Sequence, residues 1–239
     1  TLSGKIDIED VMLENRLGKH IIGDIGLDFL NKEDSHEISF DSGFAEGTFK
    51  GSSTIQQFVK DLMSVSFKKE IPAMFRNPES TWNGNTYDLQ FNMKDASDLM
   101  NFVMPGMYID ENTSLQANID ADGKLDASLN SQRIALKGQF VKNLKLSLDN
   151  SDNRLDGEAT CDSLKVSTVN LINDRLELLA HDNHIGARFV YDNESDILNK
   201  GEIVVTGNVE RDDEGLGMRL DISPSALYVN SREWNILES

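Results

Sequence analysis

The sequence predicts a mainly β fold: a long antiparallel sheet, folded into a β-taco or groove or into a sandwich-like open barrel. It also predicts one amphipathic helix over about 52–75 and a short helix over about 95–103. Three observations carry this reading. Apolar and polar residues alternate with a period of two along most of the chain, the mark of strands with one dry and one wet face. Clusters of Gly, Asn, Asp and Ser punctuate the alternation at short intervals, as hairpin turns do. Only two segments switch to helical spacing.

The alternation begins with Leu2, Gly4, Ile6 and Ile8, and returns at Ile25, Leu27 and Phe29 and at Ile38 and Phe40. Residues 52–75 break it. Ile55, Phe58, Val59, Leu62 and Met63 recur at helical spacing, Ser52 or Ser53 supplies an N-cap, and Pro72 ends or bends the helix. Tyr87, Leu89, Phe91 and Met93 restore the strand pattern. "DASDLMNFVMP" then puts Leu99, Phe102 and Val103 on one helical face, with Asp95 or Ser97 near the cap and Pro105 as the stop. From about 107 to 237 short strands run unbroken. Leu115, Ala117 and Ile119 enter "DADG" and leave as Leu125, Ala127 and Leu129, a hairpin with a Gly turn. Ile134 and Leu136 follow. Leu144, Leu146 and Leu148 pass through "DNSDN" to Leu155, Gly157 and Ala159. Leu164, Val166, Leu176, Leu178, Ile185, Ala187 and Phe189 continue the pattern. Ile203, Val205, Gly207 and Val209 turn through "RDDEG" into Met218, Leu220 and Ile222, and Leu227, Val229, Trp234 and Ile236 complete it. A compositional shift near residue 106 separates a strand–helix–strand part, 1–106, from the run of strands, 107–239, within one continuous elongated domain.

The charge balance excludes some partners. The chain has 239 residues, with 23 Lys and Arg against 41 Asp and Glu, a formal charge of −18. A nucleic-acid binder needs a basic face, so nucleic acid is not expected. Anionic membrane surfaces repel such a chain on average. The single cysteine, Cys161, cannot form an internal disulfide and reads as a small buried hydrophobe. No segment approaches the roughly 18 continuous apolar residues of a membrane helix. Neither a signal peptide nor an initiator Met opens the sequence, which therefore reads as a piece cut from a longer protein.

Catalysis needs positioned acids, bases and nucleophiles, and the candidates each lack a partner. Asp41 opens an Asp-Ser-Gly, but aspartic-protease chemistry needs a second such carboxylate, and a strand-end turn is the better reading. Ser66 and Lys69 form a Ser-x-x-Lys without its companion motifs. His181 and His184 have metal-like spacing, yet they sit in a strand and turn, where i and i+3 are expected on opposite faces. "DADGKLD", Asp120 to Asp126, resembles the front of a calcium loop, but Leu129 stands where the closing Glu belongs. Asn112 and Asn193 open glycosylation-like triplets that say only "surface". Neither a catalytic nor a metal site is expected, nor a cofactor. The remaining feature is the apolar strand face, with groove candidates Leu115, Ala117, Ile119, Leu125, Ala127, Leu129, Ile134, Leu136, Leu144, Leu146, Leu148 and Leu155. Periodicity leaves a closed sandwich core and an open groove equally available, since both bury one face.

Three passages resemble the TamB/AsmA-like family in its Bacteroidetes form: residues 94–138, "KDASDLMNFVMPGMYIDENTSLQANIDADGKLDASLNSQRIALKG"; residues 143–193, "NLKLSLDNSDNRLDGEATCDSLKVSTVNLINDRLELLAHDNHIGARFVYDN"; and "ISPSALYVNSREWNI", Ile222 to Ile236. Together they cover about half the chain. The resemblance implies a long sheet folded lengthwise with an apolar interior, in a periplasmic segment of an inner-membrane-anchored protein. It implies a non-enzymatic role in phospholipid passage between inner and outer membranes, in outer-membrane protein assembly, or in both. The implied partners are phospholipid acyl chains and, through the full-length protein, an Omp85-type outer-membrane barrel. The alternative is a closed β-sandwich serving as a structural, adhesive or glycan-binding module.

Overall fold

The computed structural model describes residues 1–75, 82–150, 152, 154–193, 197–212 and 215–237. Residues 151, 153 and 213–214 of two predicted turns, and 194–195 of the second glycosylation-like triplet, lie outside them. The strands are β1 (Leu2–Asn15), β2 (Gly18–Lys32), β3 (Ser35–Ser42), β4 (Ala45–Gly51), β5 (Tyr87–Met93), β6 (Met107–Ile109), β7 (Ser114–Ile119) and β8 (Leu125–Leu136). They continue as β9 (Gln139–Asp149), β10 (Leu155–Val166), β11 (Val169–His181), β12 (His184–Asp192), β13 (Lys200–Arg211), β14 (Leu216–Ile222), β15 (Ser225–Val229) and β16 (Arg232–Ile236). The two helices are α1 (Ile55–Met63) and α2 (Ser97–Val103).

All 16 strands belong to one antiparallel sheet whose order follows the chain from β1 to β16. Each hairpin places a strand beside its predecessor, so the sheet is a meander. Two strands stand off this path. The short β6 pairs with the far end of β8, and β14 and β15 share β13 on either side of Pro224. The ladder runs on without interruption across residue 106, because β5 pairs with β7 from Tyr87↔Ile119 to Asn92↔Ser114. The first and last strands do not pair, so the sheet is open, and the closed-sandwich alternative does not describe it. Fourteen strands in sequence at about 4.8 Å each make a sheet roughly 60 Å long.

The segment expected as a helix over 52–75 is partly helical. Thr54, rather than Ser52 or Ser53, is the N-cap, its Oγ1 accepting from Gln57 N at 3.2 Å. Helix α1 passes into a π-helical turn, Ser64–Lys68, and Pro72 opens a short 3-10 turn, Pro72–Met74. The whole stretch forms a strap across the strand ends. Its buried apolar side chains are Phe58, Val65 and Ile71. Phe58 and Val65 pack with Phe49, Tyr87, Ala117, Ile119 and Leu125, while Ile71 packs with Leu155, Ala180 and Val209. These two clusters are the core. The expected apolar stripe of α1 is split: Phe58 is buried, whereas Ile55, Val59 and Met63 are exposed.

Helix α2 starts two residues later than expected, and Asp95 Oδ1 accepts from Ser97 N at 3.0 Å, as a residue near the cap should. It packs on β2, where Phe102 meets His20 edge-on at 5.9 Å.

Candidate functional site

Register decides which residues share a face. Reading across the ladder from β1 to β14, the partners are Gly4, Phe29, Ile38, Phe49, Leu89, Ala117, Ala127, Leu148, Gly157, Leu178, Ala187, Val205 and Ile222. Every member is apolar or glycine. Two residues along, a second row runs Ile6, Leu27, Phe40, Gly47, Phe91, Leu115, Leu129, Leu146, Ala159, Leu176, Phe189 and Ile203. It is apolar throughout as well. The row between them, on the other face, runs Lys5, Asp28, Ser39, Thr48, Gln90, Gln116, Ser128, Ser147, Glu158, Glu177, Arg188 and Val204, polar until its last member. Strict pleat alternation thus separates the two chemistries over more than ten strands.

The polar face is held by ion pairs within and between neighbouring strands. Arg175 bonds Glu158 at 3.0 Å and Glu177 at 2.9 Å, and Arg188 bonds Glu177 at 3.1 Å and Glu202 at 2.6 Å. On the apolar face the glycines are overlain by neighbours. Above Gly4 lies the Phe29 ring, and a Cβ on Gly157 would meet Leu178 Cβ at 3.3 Å and Leu148 Cδ1 at 3.5 Å. A larger residue there would have to displace those leucines.

The strap divides the apolar face into a covered end and an uncovered remainder. Of the twelve residues expected to line a groove, Ala117, Ile119, Leu125 and Leu155 are buried beneath it. Leu115, Ala127, Leu129, Leu144 and Leu148 are half-buried, and Leu146 is 41% exposed. Leu178, two strands away in the first row, is 47% exposed. Ile134 and Leu136 belong to a different row. The ladder pairing lapses at Gln132, Asn143, Asp162 and Asn173, and beyond it Ile109, Ile134, Val141, Leu164 and Leu171 pair in register. Asn143 (φ 51°) and Asn173 (φ 54°) adopt the left-handed conformation there, so apolar alternation resumes one residue out of phase. Asp10 (φ 53°) and Gly23 (φ 79°) do the same in β1 and β2, where Ile22 is buried and Ile21 is 72% exposed.

Polar side chains fix the strap. Asn150, itself buried, donates from Nδ2 to Val65 O and to Gly123 O, both at 3.1 Å. It thereby takes up a carbonyl of the π-helical turn. At the far end Asn183 N donates to Glu70 O at 2.9 Å, and Ala73 N donates to Asn183 Oδ1 at 2.8 Å. Arg211 donates to Ala73 O at 2.8 Å and to Met74 O at 3.2 Å. At the near end the buried carboxylate of Asp61 accepts from Gln57, Asn85 and the Tyr87 hydroxyl, and burial with this bond pushes Tyr87 up to about 12. Two buried polar groups fit less well. Ser66 Oγ is fully enclosed without a hydrogen bond. Glu70 is 3% exposed, and burial raises its carboxyl above the ordinary range, the nearby Asp182 adding to this and Lys69 and His181 opposing it.

The motifs weighed in the sequence resolve into structure. Ser66 makes no bond to Lys69. Asp120 Oδ1 accepts from Asp122 N and Lys124 N at 2.9 Å each, a turn that closes on itself around Gly123. Asp41 pairs with Lys94 beside a turn in which Ser42 Oγ donates to Ala45 O. His181 and His184 do not point to opposite faces. They are register partners across a two-residue turn, with rings stacked at 5.5 Å, because Asp182 and Asn183 both take positive φ. No third ligand joins them among the described residues. Cys161 is half-buried and donates to Asp174 at 3.3 Å, and burial with that carboxylate holds the thiol up at about 12.

The arrangement offers an extended apolar surface to a ligand. No known protein family, curated protein or solved structure matches the chain. Its reading therefore rests on the two apolar rows and the strap. Sequence reasoning missed the phase breaks, although Asp10, Asn143 and Asn173 are the residue types that tolerate left-handed backbone.

Proposed function

We propose that this chain is a non-enzymatic segment of a cell-envelope protein of the TamB/AsmA-like kind, in which the apolar face of the sheet carries phospholipid acyl chains through the periplasm. The observation that supports the reading is the pair of apolar rows, each crossing at least twelve strands without a charged or polar member. A sheet that served only as a core would cover such rows. Here the strap covers one end, and Leu146 and Leu178 stay open.

The physics suits lipid passage. Exposing acyl methylenes to water costs about 0.8 kcal/mol each, so a chain of about fifteen costs on the order of 12 kcal/mol. A continuous apolar strip removes most of that barrier, and methylene contacts carry no direction, so acyl chains of different lengths fit equally. The open side lets a polar head group stay in water. In a longer protein the same path would lead toward an outer-membrane barrel partner of the Omp85 type.

Native mass spectrometry of protein purified from bacteria tests this. The expected result is co-purifying phospholipid that is lost in Leu146→Asp, while the same variant keeps its circular dichroism. A lipid-free parent protein, or lipid bound equally by parent and variant, would overturn the proposal.

A further inference from the structure

In a meander, successive turns fall alternately at the two ends of the strands, and here the two ends differ in chemistry. The end crossed by the strap carries acidic turns, with Glu33 and Asp34 after β2, Asp120 and Asp122 after β7, Asp182 after β11 and Asp212 after β13. At the opposite end, the α2–β6 loop and the β8–β9 and β10–β11 turns form a lip that holds Arg133, Lys137, Lys142 and Lys165. Arg133 faces Lys142 across the ladder, and Phe140 faces Lys165. Lys137 N donates to Gly106 O at 3.1 Å, which ties the two loops together.

Three features of this cluster bear on what it can meet. None of the four cations forms an ion pair with a described residue, which is also true of Lys50 and Lys124 at the strap end, so it is their clustering that matters. Three acids, Asp110, Glu111 and Asp162, lie beside the lip; Asp110 accepts from the Tyr108 hydroxyl at 3.1 Å and Asp162 from Asn143 at 2.6 Å, and neither forms an ion pair with the four cations. Two of the four lie over aromatic rings, Arg133 at 5.5 Å from Phe140 and 5.9 Å from Tyr108, and Lys142 at 5.2 Å from Phe140. The same end also exposes Val103, Met104, Leu136 and Val166.

We propose that this lip docks on the surface of an anionic lipid bilayer. Unpaired cations, amphipathic rings and exposed aliphatic tips at one edge are the elements of interfacial binding. The ring bodies and aliphatic tips enter the head-group boundary while the cations meet lipid phosphates. The net charge of −18 repels the rest of the molecule, so contact is confined to the lip, with the acidic end held away. Docking does not depend on acyl chains lying along the apolar rows.

Flotation of the chain with vesicles tests this, using phosphatidylcholine alone and phosphatidylcholine mixed with phosphatidylglycerol. The expected result is binding to the mixed vesicles only, weakening as salt is added. Arg133→Gln with Lys142→Gln should weaken partition about 30-fold, equivalent to about 1 kcal/mol for each cation. Lys50→Gln with Lys124→Gln, the same change in net charge away from the lip, should leave it unchanged. Leu146→Asp, which tests the acyl path, should float like the parent. Equal loss in the two double variants, equal binding to both vesicle types, or a lipid-free dimer abolished by the Arg133/Lys142 variant would each overturn the proposal. The last outcome would mean that the basic lip meets the acidic end of a second copy.

Discussion

Replacing Phe58 by alanine tests whether the strap is part of the folded core. Its ring stands edge-on to Phe49 at 5.8 Å and to Tyr87 at 5.2 Å, and only 4% of it is exposed. Truncating a buried Phe removes its transfer free energy and leaves a cavity, which together cost about 3–5 kcal/mol. Alanine is a better helix former than Phe, which returns a few tenths of a kcal/mol at most. The expected loss is therefore about 4 kcal/mol, against a total stability on the order of 5–15 kcal/mol for a folded domain. Val59→Ala, one residue along the same helix but 56% exposed, should change stability by less than about 0.5 kcal/mol. Urea unfolding followed by circular dichroism and by tryptophan fluorescence measures both. A loss below about 1 kcal/mol for Phe58→Ala, or similar losses for the two variants, would refute the packing of α1 on β4 and β5.

Glu70→Gln should stabilise the chain at neutral pH, by about 1–3 kcal/mol, because it removes a charge from a buried site. Burial raises this carboxyl in the folded state, so the folded chain binds its proton more tightly than the unfolded one. The penalty is absent below the ordinary carboxyl range and grows as pH rises toward the raised value. The advantage of the variant should therefore vanish on acidification, and an advantage independent of pH would exclude the burial argument. Asn183→Gly keeps the left-handed turn (φ 64°) but loses the acceptor for Ala73 N, while Asn183→Ala loses both. Thermal unfolding should show losses of about 1 and about 2–3 kcal/mol respectively. Cys161, with its thiol held up at about 12, should react with iodoacetamide at pH 8 roughly a thousandfold more slowly than an exposed thiol, and at the ordinary rate once unfolded. Rapid alkylation of the folded chain would contradict its half-buried place beside Asp174.

Much of this fold could be read from the residues. Period-two alternation located most strands but not β4, Ala45–Gly51, and turn residues such as "DADG" joined Leu115–Ile119 to Leu125–Leu129 as a hairpin, which the register confirms. A run of hairpins leaves little choice of topology, and the observed strand order follows the chain accordingly. Three things could not be read. Alternation does not say where a single left-handed residue shifts the phase, so Ile134 and Leu136 were grouped with Leu129 although they lie in another row. Helical spacing marks Phe58 and Val59 as equally apolar, and only the position of Phe49 and Tyr87 decides which of them is buried. The two histidines depended on a two-residue turn at Asp182 and Asn183, whose positive φ values place them side by side. The strap itself is a long-range event: spacing predicts a helix but not that it lies across the ends of strands from β4 to β13.

That strap also governs how the chain can fold. A meander has only nearest-neighbour contacts, so its strands could add one after another, each hairpin forming as soon as its own residues are available. The strap breaks this locality. Ala73 and Met74 receive their hydrogen bonds from Arg211, a sequence separation of 138 and 137 residues. On a chain emerging from the ribosome, Phe58, Val65 and Ile71 would be made long before Leu155, Ala180 and Val209 exist to cover Ile71. Helix α1 would dock on β4 and β5 soon after it is made, but the Ile71 end of the strap would wait uncovered until β13 supplied Val209 and Arg211 and locked the strap across the strands. A ladder that could fray from either end is thereby made to open as a unit between β4 and β13, with β1–β3 and β14–β16 left as its separately yielding margins.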